Sequence, residues 1–206
     1  EQAKETIVGQ IASLSQISVI PNCDDYAIEY IPLSGLFDTI KGKSKYTKKY
    51  GNLHSGPYPV YSASSQGALT HLDTYDYDGR YMTWSTNGFA GTILVLDGKF
   101  SINGDRGMLI PKNGRTDIDF DYMKFTLEPL FRDLAKGRKG DNGEDEFTKL
   151  YPSMLNDVMI PVPIDERGRI SLRAQKEIAA KYLAVEQCKD EIVSKLTALI
   201  RQKVEL

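Results

Sequence analysis

The sequence contains few of the residues from which disulfide frameworks, metal sites and membrane spans are built. It has two cysteines, Cys23 and Cys188, without a Cys-x-x-Cys pair, so neither a disulfide framework nor a zinc site is indicated and both thiols are expected to be small buried hydrophobes. Two histidines are too few for a metal or catalytic cluster, and no cofactor is expected. The longest aliphatic stretch, Ile93–Leu96, is far shorter than the roughly 20 apolar residues that span a bilayer. With no signal peptide at its start, the chain is expected to be cytoplasmic.

A large net charge is also missing. Lys and Arg number 26 and Asp and Glu number 28, which gives a formal net charge of −2 and argues against a polycation that coats nucleic acid indiscriminately. The apolar fraction of 41% and the charged fraction of 26% are ordinary for 206 residues. They fit one globular domain plus an extension.

The end of the chain has the spacing of a long coiled-coil helix. Its seam positions alternate four and three apart and comprise Ile178, Tyr182, Val185, Lys189, Ile192, Leu196 and Leu199. Ser171 is a suitable N-cap, and Pro161 and Pro163 keep the preceding segment extended. About 35 helical residues span about 50 Å, more than a small domain. The spacing therefore predicts a spacer or dimerisation helix over 169–206, although an amphipathic helix packed on its own domain remains an alternative.

The middle of the chain has the pattern of short β-strands. Asx-Gly turn signals recur from Asp78-Gly79 to Asn113-Gly114. They separate predicted strands at Tyr58–Ser62, Arg80–Trp84, Gly91–Leu96, Lys99–Ile102 and Gly107–Ile110, with a late edge strand at Val158–Pro163. A helix over Asp121–Ala135, broken near Pro129, and an exposed flexible loop over Gly137–Gly143 are also predicted. The expected fold is α+β, with an N-terminal amphipathic helix at 1–20 and a β-rich domain at 21–168.

Basic residues form two clusters. One comprises Lys41, Lys43, Lys45, Lys48 and Lys49, interleaved with Tyr46, and the other comprises Arg132, Lys136, Arg138 and Lys139. Such runs are either solvated loops or phosphate contacts.

The order of these parts resembles the specificity subunit of type I restriction-modification enzymes, or one half of it. The resemblance is carried by Ile31-Pro-Leu-Ser-Gly-Leu-Phe-Asp-Thr-Ile-Lys-Gly42, Gly56-Pro-Tyr-Pro-Val-Tyr-Ser62, Gly88-Phe-Ala-Gly-Thr92, and Leu155 through Ile160-Pro-Val-Pro163 followed by Gln175-Lys-Glu-Ile-Ala179. It implies a target-recognition domain joined to a spacer helix. It also implies a protein that selects double-stranded DNA while partner modification subunits methylate adenine and restriction or motor subunits cleave.

The missing catalytic motifs agree with a non-catalytic role. An adenine methyltransferase of this kind needs an Asn- or Asp-Pro-Pro-aromatic segment for the flipped base, and the chain has no Pro-Pro pair. It also has no phosphate-binding Gly-x-x-x-x-Gly-Lys-Ser/Thr motif, and its glycines at 137, 140 and 143 lack the Rossmann spacing.

If DNA is the ligand, cations should hold phosphates and forked or planar side chains should read base edges. The phosphate-binding candidates are Lys41, Lys43, Lys45, Lys48, Lys49, Arg138 and Lys139, and the base-reading candidates are Gln66, Asn87 and Arg106. The alternatives are structural, because Asn87 can build a hairpin turn, Arg106 can pair with a neighbouring Asp, and Trp84 is expected in the core.

Two further hypotheses concern partners. An antiparallel homodimer through the C-terminal helix, or a second half in a longer chain, would place two recognition domains about 50 Å apart, which corresponds to two half-sites around an unread spacer. The competing functional hypothesis is a coiled-coil adaptor whose β domain binds protein or carbohydrate.

Overall fold

The computed structural model describes residues 26–139 and 145–202, with the backbone alone at positions 138, 139, 145, 146 and 199–202. The helix predicted at 1–20 lies outside these residues, as does Cys23. Within them the fold is α+β, as predicted, with thirteen strands and four α-helices. None of the described helices is long and apolar enough to cross a membrane.

The strands are β1 (Ala27–Pro32), β2 (Phe37–Lys41), β3 (Tyr58–Tyr61), β4 (Thr70–Leu72), β5 (Tyr77–Asp78), β6 (Tyr81–Ser85), β7 (Asn87–Gly88), β8 (Ile93–Leu96), β9 (Lys99–Ile102), β10 (Arg106–Pro111), β11 (Lys136–Lys139), β12 (Asp145–Lys149) and β13 (Met159–Ile164). The helices are α1 (Leu33–Leu36), α2 (Lys48–Leu53), α3 (Phe120–Leu134) and α4 (Leu172–Gln202). All the strands predicted from the turn signals are confirmed to within two residues at each end.

The strands form four small sheets. One has the antiparallel order β2-β10-β6-β8, and a second has the order β4-β3-β9-β5 with a parallel β3–β9 pair. The third pairs β1 with β13 antiparallel, so the first and last strands of the domain are neighbours. The fourth, with the order β11-β12-β7, is called the small sheet below.

The main core forms around Trp84, as the sequence predicts. Trp84 is fully buried, lies edge-on to Phe131 of α3 with ring centroids 6.0 Å apart, and donates from Nε1 to the carbonyl of Leu150 at 3.0 Å. Gly107 lies against the indole, because a Cβ at this position would be 2.3 Å from Trp84 Cζ2. Residues from α1, α3, β13 and α4 complete the same cluster.

Helix α3 contradicts one prediction, because it continues through Pro129 without a break. Its N-cap Asp119 accepts a hydrogen bond from the backbone of Tyr122 at 2.9 Å. Leu127 and Phe131 on either side of the proline are both fully buried. Packing of this face on the core outweighs the hydrogen bond that proline removes.

Two smaller expectations are also wrong. The first three residues of the loop predicted over Gly137–Gly143 instead belong to strand β11, which pairs with β12 in the small sheet, and positions 140–143 lie outside the described residues. Cys188 is exposed rather than buried, because it lies on the part of α4 that extends beyond the domain.

The long helix α4 is confirmed, and it has two different halves. Ser171 caps it by accepting from the backbone of Ala174 at 3.2 Å. In the first half Ile178 is buried and Tyr182 packs on Phe125 of α3, with ring centroids 3.7 Å apart and the ring planes tilted by 37°. This half therefore packs on its own domain, which was the alternative to pairing.

The second half of α4 leaves apolar seam positions uncovered. Val185 and Ile192 are each 46% exposed, and Lys189 pairs with Glu186 at 3.1 Å within the helix. The 31 residues of α4 span about 46 Å.

Candidate nucleic-acid interface

The first lysine cluster lies on a well-supported stretch of backbone, residues 41–49, which is called the lysine segment below. It leaves the end of β2 and passes over the turn that precedes β10. A Cβ at Gly42 would be 2.2 Å from the Asn103 carbonyl oxygen, so only glycine fits there. The backbone N–H of Lys43 donates to Ile102 at 3.0 Å, and Thr47 caps α2 by accepting from Tyr50 at 3.1 Å. The segment is therefore fixed to the domain while most of its lysines face solvent.

The five lysines have different surroundings. Lys41, Lys45, Lys48 and Lys49 are exposed. The Lys45 ammonium lies 5.3 Å from the ring centroid of Tyr46 and 5.5 Å from that of Tyr50. These rings hold the lysine stem while its charge faces water.

Lys43 is anchored by an acid. Its ammonium pairs with the Asp76 carboxylate, which also accepts from the Tyr46 hydroxyl at 3.0 Å. The hydrogen bond to Asp76 raises the pKa of Lys43. Tyr46 is buried, so it supports the segment and does not stack on a ligand. The Lys43 side chain is still 50% exposed, which leaves a phosphate contact open to it.

Arg106, predicted to read a base, lies inside the domain rather than on its surface. It is fully buried, and its guanidinium donates to Thr83 Oγ1 at 3.1 Å and to three consecutive backbone carbonyls, those of Ser62, Ala63 and Ser64. Burial lowers the pKa of Arg106 to about 10, so the group remains charged at neutral pH. Its donors are engaged inside the protein, so the position argues against base reading and assigns Arg106 to holding the loop that follows β3.

That loop, residues 62–67, carries Gln66 and is called the Gln66 loop below. Gln66 is exposed, and its backbone N–H donates to Ser64 Oγ at 3.1 Å. Gly67 takes the left-handed φ of +135° that ends the turn. The predicted reader Gln66 is thus presented to solvent on a loop that Arg106 fixes from below.

Asn87 is half buried on β7. Its amide Nδ2 donates to Asp105 Oδ1 at 2.6 Å, and Asp105 in turn accepts, through its backbone carbonyl, from the Thr86 N–H at 2.9 Å. The Asn87 amide is thus held by a residue that is distant in the sequence, while Gly88, with a φ of +72°, takes the turn conformation. Its position on β7, opposite Lys149 of β12, places it at the edge of the small sheet.

Several positions come together that the sequence does not connect. The Lys41 ammonium lies 5.3 Å from the ring centroid of Tyr151, two residues after Lys149. The lysine segment therefore adjoins the small sheet, whose strand β11 contains Arg138 and Lys139 at backbone positions opposite Phe147 and Asp145. Sequence reasoning missed Lys149 and Tyr151, and their only signal was a basic and an aromatic residue at the end of an alternating stretch.

Comparison with known proteins gives a consistent result. The model of the family described as "Type I restriction modification DNA specificity domain" matches residues 27–202. The type I restriction enzyme MpnII specificity subunit of Mycoplasma pneumoniae is 44% identical over 157 residues, which are 75% of this chain and 43% of that protein.

Two crystal structures have the same fold. The S subunit of a type I restriction-modification system from M. genitalium matches with a TM-score of 0.59 and 18% identity, over 92% of this chain and 46% of that one. The HsdS subunit from Thermoanaerobacter tengcongensis matches with a TM-score of 0.60 and 16% identity, over 99% of this chain and 51% of that one. The chain therefore spans about half the length of these relatives.

Proposed function

The chain belongs to the family of type I restriction modification DNA specificity domains, and from this premise we propose that it recognises one part of a double-stranded DNA target. In this proposal it acts in the cytoplasm as a non-catalytic recognition subunit. Modification subunits bound to it methylate adenine, and restriction or motor subunits join through them. The family match supports this function over the adaptor alternative.

The observation that carries the proposal is the position of the lysine segment. Lys41, Lys45, Lys48 and Lys49 are exposed on a backbone that is fixed by Gly42 and by the cap of α2. Cations on a rigid support contact phosphates without a large ordering cost and set the register on the duplex. The exposed Gln66 on its own loop is the best-placed base reader among the three candidates, because an amide can bond adenine in the major groove.

We also propose that the second half of α4, the part that extends beyond the domain, binds a helix that carries a second recognition domain. Val185 and Ile192 are seam positions that no other element in residues 26–139 and 145–202 covers, and a second copy or the second half of a longer chain would bury them. In a homodimer with antiparallel helices the two half-sites would be inverted repeats around a spacer.

Methylation mapping in cells that carry the intact system first identifies the target sequence. DNA binding is then tested by measuring how the affinity for a duplex with this sequence depends on salt concentration. Replacing Lys48 and Lys49 with Gln should weaken binding to every duplex and reduce the salt slope by roughly 2, because each phosphate contact releases about one counterion. The double variant Lys176→Gln/Lys195→Gln removes two exposed charges from α4 and is the matched control. Absence of duplex binding at low salt, even with the modification subunits present, would reject the proposed function.

A further inference from the structure

Phe89 is an exposed aromatic residue on a turn that is unusually well fixed. The side chain is 56% exposed. Its carbonyl accepts from Ser85 Oγ at 2.6 Å and from Thr92 Oγ1 at 3.1 Å, and the next residue donates its N–H to Thr148 Oγ1 at 3.0 Å. Gly91 follows with a φ of +91° and lies against the backbone of α3. These bonds hold the ring at the surface, where its exposed apolar area is unfavourable in water.

Arg132 of α3 adds a planar cation to this ring. Its guanidinium carbon lies 4.3 Å from the Phe89 ring centroid. The guanidinium is oriented by Glu128 Oε1 at 3.2 Å and by Thr92 Oγ1 at 3.4 Å. The guanidinium and the ring therefore form a stacked pair, which is called the plate below. The plate is partly exposed, since the Arg132 side chain is 38% exposed.

A second exposed phenyl ring lies on β12, one residue before the threonine that holds the Phe89 turn. Thr148 of β12 is opposite Gly88 of β7 and is buried. Because successive strand residues alternate between faces, Phe147 and Lys149 lie on the face of β12 opposite to Thr148. Phe147 is 49% exposed. β12 and the turn that Thr148 holds thus each present one exposed phenyl ring.

The face of β12 that carries Phe147 and Lys149 also places two lysines directly opposite each other. Lys136 of β11 and Lys149 of β12 are directly paired across the antiparallel ladder, and both are exposed. Like charges at directly opposite positions destabilise a sheet. Among the described residues no carboxylate pairs with either lysine, so the arrangement is suited to an anion that lies between them.

We propose that these five residues, Phe89, Arg132, Lys136, Phe147 and Lys149, form a second DNA contact, in which the lysine pair holds a phosphate and Phe89 wedges against the adjoining base step. The inference rests on the proposed function. A protein partner would use the apolar rings, but it would not account for the facing lysines and the guanidinium plate as a phosphate backbone does.

The wedge would contribute to sequence choice without contacting base edges. An apolar side chain that presses on a step unstacks and bends the duplex, and the cost depends on how deformable that step is. The step beside Phe89 should therefore favour flexible pyrimidine–purine sequences. The contact also lies close to the lysine segment, because Tyr151 links Lys41 to the end of β12.

The test compares variants of the intact chain with its modification subunits on a target duplex that carries a donor and an acceptor fluorophore at its ends. Phe89→Ala should lower target affinity about tenfold, as removal of an aromatic–base contact does, and should reduce the bend of the duplex while the salt slope stays unchanged. Lys136→Gln/Lys149→Gln should instead weaken all duplexes and lower the slope by roughly 2. Tyr30→Ala removes an aromatic residue that is 63% exposed on β1 and is the matched control.

The possible outcomes separate the inference from the function. If wild-type protein binds its target and Phe89→Ala/Phe147→Ala binds and bends it equally well, the wedge is rejected and DNA recognition stands. If that variant loses modification subunits while keeping its own affinity for duplex, the face binds protein and the inference is again rejected. If wild-type protein binds no duplex, the proposed function fails and the inference fails with it.

Discussion

Replacing Arg106 should release the Gln66 loop and destabilise the domain. In Arg106→Ala the carbonyls of Ser62, Ala63 and Ser64 and the Thr83 hydroxyl lose their donors, and the side chain leaves a void. An orphaned buried acceptor costs about 1–3 kcal/mol. Adding this cost for all four acceptors would overestimate the loss of stability, because the three loop carbonyls lie near the surface and water can reach them once the loop moves.

The void and the Thr83 hydroxyl remain buried, since Thr83 is fully inaccessible to solvent. We therefore expect Arg106→Ala to lower the free energy of unfolding by about 3 kcal/mol, which corresponds to a thermal midpoint about 6–12 °C lower for a chain of this size. Arg106→Lys keeps the charge but loses the guanidinium fork, so we expect a loss of about 1–2 kcal/mol.

Thermal unfolding followed by circular dichroism measures the midpoint, and amide hydrogen exchange over residues 62–67 measures release of the loop. The control is Arg80→Ala, because Arg80 is 54% exposed and lies 3.9 Å from Asp121, a surface pair that contributes at most about 1 kcal/mol. An Arg106→Ala protein with a wild-type midpoint, unchanged exchange in the loop and an altered base preference would refute this reasoning and return Arg106 to the base-reading set.

Three further predictions concern the helix and the core. Hydrogen bonds from the Arg169 backbone and side chain lower the pKa of Asp165, so the stability that its ionised carboxylate contributes is complete above the unfolded pKa and is lost as pH falls. The difference in thermal midpoint between wild type and Asp165→Asn should therefore close between about pH 5 and pH 2, and a difference that persists at pH 2 would contradict this. Cys188 lies near the middle of α4, where the two-fold axis of an antiparallel dimer is expected. In a Cys23→Ser background, mild oxidation should therefore link the two exposed Cys188 thiols, whereas a dimer in sedimentation that gives only monomer on denaturing gels would place the axis elsewhere. Gly107→Ala should lower the thermal midpoint by 5 °C or more, because the new methyl group would overlap the Trp84 ring; an unchanged midpoint would show that the indole can move.

The sequence predicts the parts of the fold that depend on neighbours in the chain. The N-cap of α4 and the strands between Asx-Gly turns are local features, and both are confirmed. Pro129 was misjudged because its local cost is outweighed by burial of Leu127 and Phe131, which no local pattern reveals. The heptad spacing of α4 is likewise local, but the surfaces that cover its first half and leave its second half bare belong to other elements.

The candidate site was harder to predict because it depends on distant contacts. Arg106 lies at the start of a strand and has the sequence context of an exposed loop cation. Its burial depends on carbonyls 42 to 44 residues away. The small sheet joins Asn87 to Lys149, so the turn that carries Phe89 comes to lie against β12 only after folding. Composition alone could nominate the lysine segment, since its charge density is visible in the sequence.

The pairing of β1 with β13 has a consequence for how such domains can be replaced. Pro32 lies opposite Met159, and the Leu33 N–H donates to the Val158 carbonyl at 2.7 Å. The chain thus enters and leaves the domain at the same two-stranded sheet. A replacement for residues 33–158 that preserves the β1–β13 pairing and the hydrogen bond between its two ends would leave the direction of α4 unchanged. A recombination event between these two positions would therefore exchange the domain and leave the helix and its exposed seam positions the same.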